Sequence, residues 1–173
     1  MNPIMACIAL GSNLGCREEH LTYAIKSLNN LEEVSRVRVS QFMETKPVSP
    51  IAQGMFLNAA ATLQTTLAPH DLLQTMLEIE RQRGRQRENE VRHGPRILDL
   101  DLLLYGELIL NTPELTVPHP RLHERTFVLE PLATIAPNLR HPRLDLTVTE
   151  MLANWNQSKS EERIKTSTAG VSD

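Results

Sequence analysis

The pattern of apolar and polar residues along the chain predicts alternating strands and helices. Met5 to Leu10 is a short apolar run that ends at Gly11, which is typical of a buried strand. Apolar residues then recur at helical spacing from Leu21 to Leu31 and predict an amphipathic helix. Further strands are predicted at 35–42, 57–64 and 97–105, and a second helix at 69–84, with Pro69 in its first turn.

This order of elements predicts an α+β fold. Strand, helix, strand, strand, helix, strand is the ferredoxin-like split β-α-β arrangement, a mostly antiparallel sheet with helices on both faces. Glu107 to Leu110 is predicted as a hairpin partner of the preceding strand. Thr147 and Glu150 have the spacing of a capping box and predict a short helix that ends near Trp155. We therefore expect one domain at 1–155 and a polar, disordered and dispensable tail at 156–173.

Composition narrows the class of protein. A chain of 173 residues that is 40% apolar fits one packed domain, and no apolar run approaches the ~20 residues that span a bilayer. A net charge of −3 argues against a nucleic-acid binder, which usually has a basic excess. Cys7 and Cys16 do not make a disulfide framework, and we expect buried free thiols. We also expect no secretory signal, a cytoplasmic location and a monomer.

Candidate chemistry lies in the strand at 97–105. Residues two apart in a strand share a face, so Asp99 and Asp101 project together about 6–7 Å apart. Such carboxylates repel unless they are solvated or share a cation, and magnesium uses one or two carboxylates plus substrate phosphates. A solvated strand side is the alternative. Ile97 and Leu103 are predicted on the acid face, which favours a partly buried cleft. The opposite, core face is predicted to carry Leu98, Leu100, Leu102 and Leu104.

Arginines are concentrated just before the two acids. The stretch 81–96 contains six arginines and no lysine, and the planar guanidinium group suits phosphate or carboxylate. Phosphoryl transfer depends on metal ions and on cations that neutralise developing charge, so acids and arginines together favour that chemistry. The alternative is structural, since the arginines could pair on the surface with Glu78, Glu80, Glu88 and Glu90.

Four sequence blocks resemble one family. Arg92 to Asp101 contains Gly-Pro-Arg, two spacers and Asp-apolar-Asp, which resembles the motif of the 6-hydroxymethyl-7,8-dihydropterin pyrophosphokinase family. Similar blocks occur in order at 11–14, 56–59 and 115–120, and the resemblance covers about Ile4 to Trp155. It implies transfer of the diphosphoryl group of ATP to the hydroxymethyl group of the reduced pterin, which releases AMP.

The resemblance also implies roles for individual residues. Asp99 and Asp101 resemble the ligands of two magnesium ions, and Arg85 and Arg96 resemble the catalytic arginines. The residues that match pterin-binding positions are Thr45, Pro47, Val48, Phe56, Asn58 and Phe127. The residues that match ATP-binding positions are Glu80, Arg87, Leu102, Thr116, His119 and Arg125.

Some positions depart from the family pattern. Lys46 stands where relatives often have Pro, His93 where some have Trp, and Pro120 where we expect an aromatic residue. A non-catalytic ferredoxin-like module that binds a small molecule or RNA is the alternative function, because fold does not determine function. An RNA reader, however, usually has exposed aromatic residues and a basic face rather than paired acids.

Overall fold

The computed structural model describes residues 2–91 and 94–168. Two short 3-10 turns, Arg87–Asn89 and Leu122–Glu124, lie on either side of the last long strand. The strands and helices follow in the order β1 (Ile4–Ser12), α1 (Arg17–Asn29), β2 (Val34–Val39), β3 (Met43–Thr45), β4 (Phe56–Thr65), α2 (Pro69–Gln82), β5 (Asp99–Tyr105), β6 (Leu110–Asn111), β7 (Thr116–Val117), α3 (Thr126–Ile135), β8 (Arg140–His141), β9 (Leu146–Thr147) and α4 (Val148–Thr168).

The main sheet has the strand order β2-β4-β1-β5, and each strand is antiparallel to its neighbours. Strand β3 also pairs with β4, beyond the end of β2. Because β1 and β2 are both antiparallel to β4, they run in the same direction with β4 between them, and α1 makes the crossover. The predicted ferredoxin-like split β-α-β topology is therefore confirmed.

Alternating side chains of the sheet fill two apolar layers, one on each face. Helices α1 and α2 cover one face, with a core that includes Ile8, Leu10, Leu21, Leu28, Ala61, Leu72 and Met76. Helices α3 and α4 cover the other face, with a core that includes Cys7, Ala60, Leu104, Val128, Leu132 and Met151. Helices on both faces are thus confirmed, although α3 was not among the predicted elements.

The two cysteines differ in exposure. Cys7 is a buried free thiol, as predicted, and burial raises its pKa to about 12. Cys16 is also free but exposed, so the prediction of burial was wrong there. Cys16 precedes α1 at the end of a loop and not on a core-facing strand position.

A bulge in β5 changes which leucines share a face. Cys7 pairs with Leu104 but Ile8 pairs with Leu102, so Leu103 is an additional residue in β5. Leu98, Leu100 and Leu102 face the α1/α2 core as predicted, whereas Leu103 and Leu104 both pack in the α3/α4 core. Period-two alternation was therefore wrong for Leu104. It was also wrong for Ile97, which packs against the α1/α2 core rather than on the acid face.

After β5 the predicted hairpin differs from the structure. Leu110–Asn111 pairs with Thr116–Val117 in a separate two-stranded sheet, not with β5. Helix α3 was missed because Pro131 lies inside it, where proline removes a hydrogen bond at a cost of about 3 kcal/mol. Val128, Leu129 and Leu132 are buried, and each contributes about 1.5–3 kcal/mol. Their burial exceeds the cost of the proline.

The capping box at the start of α4 is present as predicted. The backbone N–H of Thr147 donates to Glu150 Oε2 at 2.7 Å, and the N–H of Glu150 donates to Thr147 Oγ1 at 3.1 Å. The helix does not end near Trp155, however, but continues to Thr168. Residues 156–168 are therefore helical, in contrast to the disorder that we expected from their polar composition. The rest of the predicted tail, 169–173, lies outside the described residues.

Candidate active site

The two acids of β5 lie in a cleft of about 550 Å³. In the sheet register, Asp99 is opposite Gly11 and Asp101 is opposite Ala9. Because these two residues of β1 have very small side chains, the space beside the carboxylates is open to a ligand. The side chains of Asp99 and Asp101 are 19% and 33% exposed. This strand face is therefore partly buried and does not match the solvated alternative.

Asp99 is held by two arginines from different parts of the chain. Its Oδ1 accepts a hydrogen bond from Arg85 Nη1 and its Oδ2 accepts one from Arg96 Nη1, each at 2.6 Å. Burial alone would raise the pKa of Asp99, but Arg85 and Arg96 outweigh it and lower the pKa below its usual value. Asp99 is therefore ionised at neutral pH, and the two predicted catalytic arginines meet at this carboxylate.

Glu80 lies buried behind these arginines, with a side chain that is 1% exposed. Its carboxylate accepts hydrogen bonds from Arg85 Nη1 at 2.9 Å, from Arg87 Nε at 2.9 Å and from the backbone N–H of Leu100 at 2.7 Å. Burial raises the pKa of Glu80, and these three donors oppose the rise. Since Leu100 lies between the two acids, Glu80 ties α2 to the part of β5 that carries them.

The structural alternative for the arginines was thus partly right. Arg85 pairs with Glu80 and Glu90, and Arg87 pairs with Glu80. These contacts do not form on an open surface, because the side chain of Arg85 is 4% exposed. The structure places Glu80, predicted as an ATP-binding residue, where it orients the arginines.

Asp101 has a different partner, Arg125 from the start of α3. Asp101 Oδ2 accepts a hydrogen bond from Arg125 Nη1 at 2.9 Å. The guanidinium carbon of Arg125 also lies 5.8 Å from the ring centre of Phe127, in a cation–π contact. Arg125 therefore joins one predicted metal ligand to one wall of the predicted pterin pocket.

His119 lies next to the Asp101–Arg125 ion pair, and two hydrogen bonds hold it in place. Its backbone N–H donates to the carbonyl of Leu103 at 2.8 Å, and its Nδ1 accepts the N–H of Arg121 at 3.1 Å. Burial and then the charge of Arg125 lower the pKa of His119, so the ring is neutral at pH 7. With Nδ1 as the acceptor, the proton is on Nε2, which can donate to an anionic ligand.

Most of the predicted pterin-binding residues line the same cleft. They are Thr45, Val48, Phe56, Asn58 and Phe127. Pro47 is not among the described residues that line it. Asn58 is buried, and its Nδ2 donates to Thr45 Oγ1 at 2.6 Å. This hydrogen bond fixes the amide so that its oxygen is directed away from Thr45.

Gly11 leaves the space that Asn58 needs. A Cβ atom on residue 11 would lie 3.0 Å from Asn58 Oδ1 and 3.8 Å from Phe56 Cδ1. The first distance is shorter than a normal van der Waals contact, so any larger residue would displace the Asn58 amide. The glycine of the Gly11-Ser12-Asn13 block therefore contributes to the shape of the cleft.

Asn13 connects three segments around the cleft, a role that we did not predict. Its Oδ1 accepts the backbone N–H of Arg96 at 2.7 Å, and its own N–H donates to the carbonyl of Arg96 at 3.0 Å. Its Nδ2 donates to Gln53 Oε1 at 2.8 Å. The N-cap of α1 is Cys16, which makes no side-chain capping bond.

The six predicted ATP-binding residues are not gathered in one place. Arg125 lines the cleft, whereas Leu102 is 4% exposed in the core and Thr116 Oγ1 donates to Asn111 Oδ1. A second depression of about 410 Å³ lies along α2 and the loop that follows it. The residues that line this α2 depression include Gln74, Leu77, Glu80, Arg81, Arg85 and Arg87.

Helix α4 contributes two further residues to the cleft, Trp155 and Lys159. Neither was among the predicted site residues, and Lys159 lies in the segment 156–173 that we expected to be disordered. The spacing of four residues from the apolar Met151 to Trp155 and then to Lys159 was the signal available in the sequence.

The donor set at β5 is suitable for magnesium. Among the described residues there is no cluster of three or more His, Cys, Asp or Glu that could hold a metal ion. Asp99 and Asp101 supply two carboxylates on one open strand face. Magnesium completes such a site with water and substrate phosphates, so these two acids fit the ion.

An antiparallel α+β fold with two acids among arginines at an open cleft has the parts that a metal-dependent phosphotransfer enzyme needs. The family model for 7,8-dihydro-6-hydroxymethylpterin-pyrophosphokinase (HPPK) matches residues 7–137. The chain belongs to this family. No helix in the described part of the chain is long and apolar enough to cross a membrane.

Three bacterial relatives are named 2-amino-4-hydroxy-6-hydroxymethyldihydropteridine pyrophosphokinase. The protein of Pseudomonas aeruginosa is 46% identical over 135 residues, which cover 78% of this chain and 82% of the relative. That of Bacillus subtilis is 48% identical over 135 residues, with coverage of 78% and 79%. That of Haemophilus influenzae is 40% identical over 156 residues, with coverage of 90% and 96%.

Solved structures support the fold. A structure described as HPPK-DHPS in complex with substrates has a TM-score of 0.69 at 13% identity, and the match covers 92% of this chain. Plasmodium falciparum HPPK-DHPS with SDX-DHP has a TM-score of 0.72 at 12% identity, with 94% covered. This chain spans 44% and 46% of those longer chains. At such low identity the likeness establishes the fold alone.

Proposed function

We propose that this chain transfers the diphosphoryl group of ATP to 6-hydroxymethyl-7,8-dihydropterin. The hydroxymethyl oxygen forms a bond to the β-phosphorus while the bond from that phosphorus to the oxygen shared with the α-phosphate breaks. AMP leaves, and the hydroxyl proton is released. Family membership and the names of the bacterial relatives support this reaction.

The observation that carries the proposal is the ion pair between Arg85 and Asp99, at 2.6 Å. Arg85 lines the α2 depression, and Asp99 lines the cleft. A ligand whose two ends occupy these two spaces must pass over this pair. We assign the adenosine part of ATP to the α2 depression and the pterin to the cleft, so that the phosphates lie over Arg85 and Asp99.

The arginines neutralise charge on the phosphates. Arg96 and Arg125 are 23% and 20% exposed, so their guanidinium groups can reach a ligand while they remain next to the acids. Arg85 is far less exposed and is fixed by Glu80, Asp99 and the carbonyl of Leu98. A positive group that is already oriented needs little reorganisation when charge develops. Asp99 and Asp101 would hold magnesium, which when bound would supply further positive charge to the phosphate oxygens.

The pterin pocket recognises a flat, polar ring. Phe56 and Phe127 provide aromatic surfaces, and the Asn58 amide is oriented by Thr45. Asn58 can therefore offer a directed acceptor to the edge of the ring. These residues bind and orient the substrate, and they leave the hydroxymethyl group to face the acids of β5.

Formation of AMP from ATP and the reduced pterin tests the proposal. Purified protein with magnesium is expected to release AMP and pterin diphosphate in equal amounts, as measured by chromatography. Binding of either ligand without AMP release would support the alternative of a non-catalytic binding module. Hydrolysis of ATP at the same rate without pterin would also contradict the proposal.

We further propose that two magnesium ions bind, that the chain is a monomer and that it is cytoplasmic. Two carboxylates beside a triphosphate offer enough oxygen ligands for two ions. Titration with Mn²⁺ in the presence of a non-hydrolysable ATP analogue is expected to give two ions per chain. Sedimentation is expected to give the 19.5 kDa mass of one chain. One ion per chain, or twice that mass, would contradict these expectations.

A further inference from the structure

One face of α4 passes from the core of the protein to the cleft. Met151, Trp155 and Lys159 are four residues apart, and such residues share a helix face. Met151 is buried against the sheet, Trp155 is half-buried and Lys159 is exposed. Each interval of four residues advances about 6 Å along the helix axis. The face is thus anchored at Met151 and reaches the edge of the cleft at Lys159.

Trp155 and Lys159 contact each other as well as the cleft. Lys159 Nζ lies 5.8 Å from the centre of the Trp155 ring, in a cation–π contact. A lysine on a helix surface otherwise has many rotamers, and the aromatic ring restricts them. The Trp155 ring therefore restricts the position of the ammonium group, and both side chains line the cleft.

The charges around the cleft favour an anion. Among its described lining residues, five cationic side chains accompany three acidic ones. Arg96 and Arg125 are paired with Asp99 and Asp101, the two acids beside which the phosphates are expected. Lys159 adds positive charge from a different element, α4.

We propose that Trp155 and Lys159 form an anion-binding wall for the diphosphate group on the pterin side of the cleft. Lys159 is the binding residue, and Trp155 positions it. This inference rests on the proposed function, in which the diphosphate is transferred to the pterin inside the cleft that Trp155 and Lys159 also line. The wall lies beyond residue 137, where the match to the family model ends.

Calorimetry with two ligands tests the wall. With Lys159→Ala, the dissociation constant of 6-hydroxymethyl-7,8-dihydropterin diphosphate in magnesium buffer is expected to rise about tenfold, the effect of losing one charge-assisted hydrogen bond. The dissociation constant of the uncharged alcohol, 6-hydroxymethyl-7,8-dihydropterin, is expected to change less than about twofold. Lys159→Arg should retain most of the affinity, and Lys26→Ala on α1 is the matched control. Equal losses for both ligands, or none, would overturn the proposal.

Trp155 provides an independent readout, because it is the only tryptophan in the chain. Addition of inorganic pyrophosphate with magnesium is expected to change the emission of Trp155, and Lys159→Ala should weaken that response. An unchanged emission spectrum at saturating pyrophosphate would contradict the wall. Trp155→Ala should weaken binding of the diphosphate about threefold, whereas Trp155→Phe should not, because it keeps an aromatic surface.

These binding measurements do not depend on turnover. If the parent protein releases no AMP from ATP and pterin, the proposed function fails. The comparison of diphosphate with alcohol still decides whether Lys159 binds the anion. If the parent is active and Lys159→Ala binds both ligands normally, only the wall proposal fails.

Discussion

Asp99 and Asp101 have the same side chain on the same strand face, but their surroundings differ. Asp99 accepts one hydrogen bond from Arg85, which is nearly inaccessible to solvent, and one from Arg96. Asp101 accepts a hydrogen bond from Arg125, which is more accessible to solvent than Arg85. From the sequence we expected the two acids to repel each other unless they are solvated or share a cation. Arginine side chains compensate that repulsion, so removal of either carboxylate charge is not expected to increase stability.

Neutralisation of each acid is the first prediction. Asp101→Asn is expected to reduce AMP formation by at least about 100-fold, while the free energy of unfolding changes by no more than about 0.5 kcal/mol. Asp99→Asn should lose activity similarly and also about 1–3 kcal/mol of stability, because Arg85 loses a buried partner. The double variant should lose less activity than the product of the single losses.

Steady-state assays and urea unfolding measure these effects. Asp145→Asn is the control, since Asp145 pairs with Arg140 on an exposed surface. Normal AMP release by a folded Asp101→Asn protein would refute its assignment as a metal ligand.

The second prediction concerns acid. The pKa of Asp99 is lower in the folded chain than the usual 3.8, so its ionised form stabilises the fold. That contribution is complete above the usual pKa and is lost as the pH falls through the lower, folded pKa. The stability difference between the parent and Asp99→Asn should therefore shrink below about pH 4.

Urea unfolding between about pH 7 and pH 3 gives this difference. Burial raises the pKa of Glu80, so its titration changes stability with pH in the opposite direction from that of Asp99. Because Glu80 is present in both proteins, its effect cancels in the difference. A difference that stays constant down to the lowest pH would show that the ion pairs of Asp99 do not stabilise the fold.

The third prediction concerns Gly11. A methyl group at this position would press on the Asn58 amide, and overpacking of this kind costs about 1–3 kcal/mol. Gly11→Ala should therefore weaken pterin binding about tenfold, as measured by calorimetry, with a smaller effect on ATP. Gly54→Ala is the matched control, because its added Cβ would come no closer than 3.5 Å to Asn13 O. Similar effects of both substitutions would contradict the steric argument.

At the scale of elements, the start of α4 provides the fourth prediction. Thr147 and Glu150 each accept a backbone N–H of the other. Thr147→Ala should lower the free energy of unfolding by about 1 kcal/mol, the usual loss for a missing N-cap. Ser160→Ala, on the exposed part of the same helix, should change it by less than about 0.5 kcal/mol. If chemical denaturation gives the same result for both, the capping box has no role.

At the scale of the whole molecule, we expect metal to affect activity and not the fold. Because Arg85, Arg96 and Arg125 neutralise the two acids, the fifth prediction is that EDTA abolishes AMP formation but leaves the melting temperature of the ligand-free chain unchanged. ATP should raise the melting temperature only with magnesium present, because a ligand stabilises the folded chain only when it binds to it and ATP is expected to bind together with magnesium. Differential scanning fluorimetry measures both. A lower melting temperature in EDTA alone would show that the metal is structural.

Local patterns accounted for the elements with strong periodicity and failed where long-range packing decides. Strands β1, β4 and β5 and helices α1 and α2 lie where the apolar spacing predicted them. Helix α3 contains a proline and is stabilised by contact with the sheet. The residues of the sheet that make this contact are distant in the sequence, so a short stretch of sequence does not reveal them. The continuation of α4 to Thr168 likewise follows no apolar pattern.

The candidate site divides in the same way. The alternation of a strand placed Asp99 and Asp101 on one face, and the family resemblance added Arg85 and Arg96. The sequence did not indicate that Glu80 would be buried behind the arginines, because charged residues are seldom buried without partners. Those partners, Arg85, Arg87 and the N–H of Leu100, come together only in the folded chain.

The sequence by itself determined the order of the strands and helices up to β5, the split β-α-β topology and the pairing of two acids beside an arginine segment. These features depend on periodicity and on neighbours along the chain. Tertiary structure alone decided the contacts of Asn13 with Arg96, 83 residues apart, and of Asp101 with Arg125, 24 residues apart. It also decided that α4 reaches the cleft. Such contacts depend on sheet register and helix packing, which no short stretch of sequence specifies.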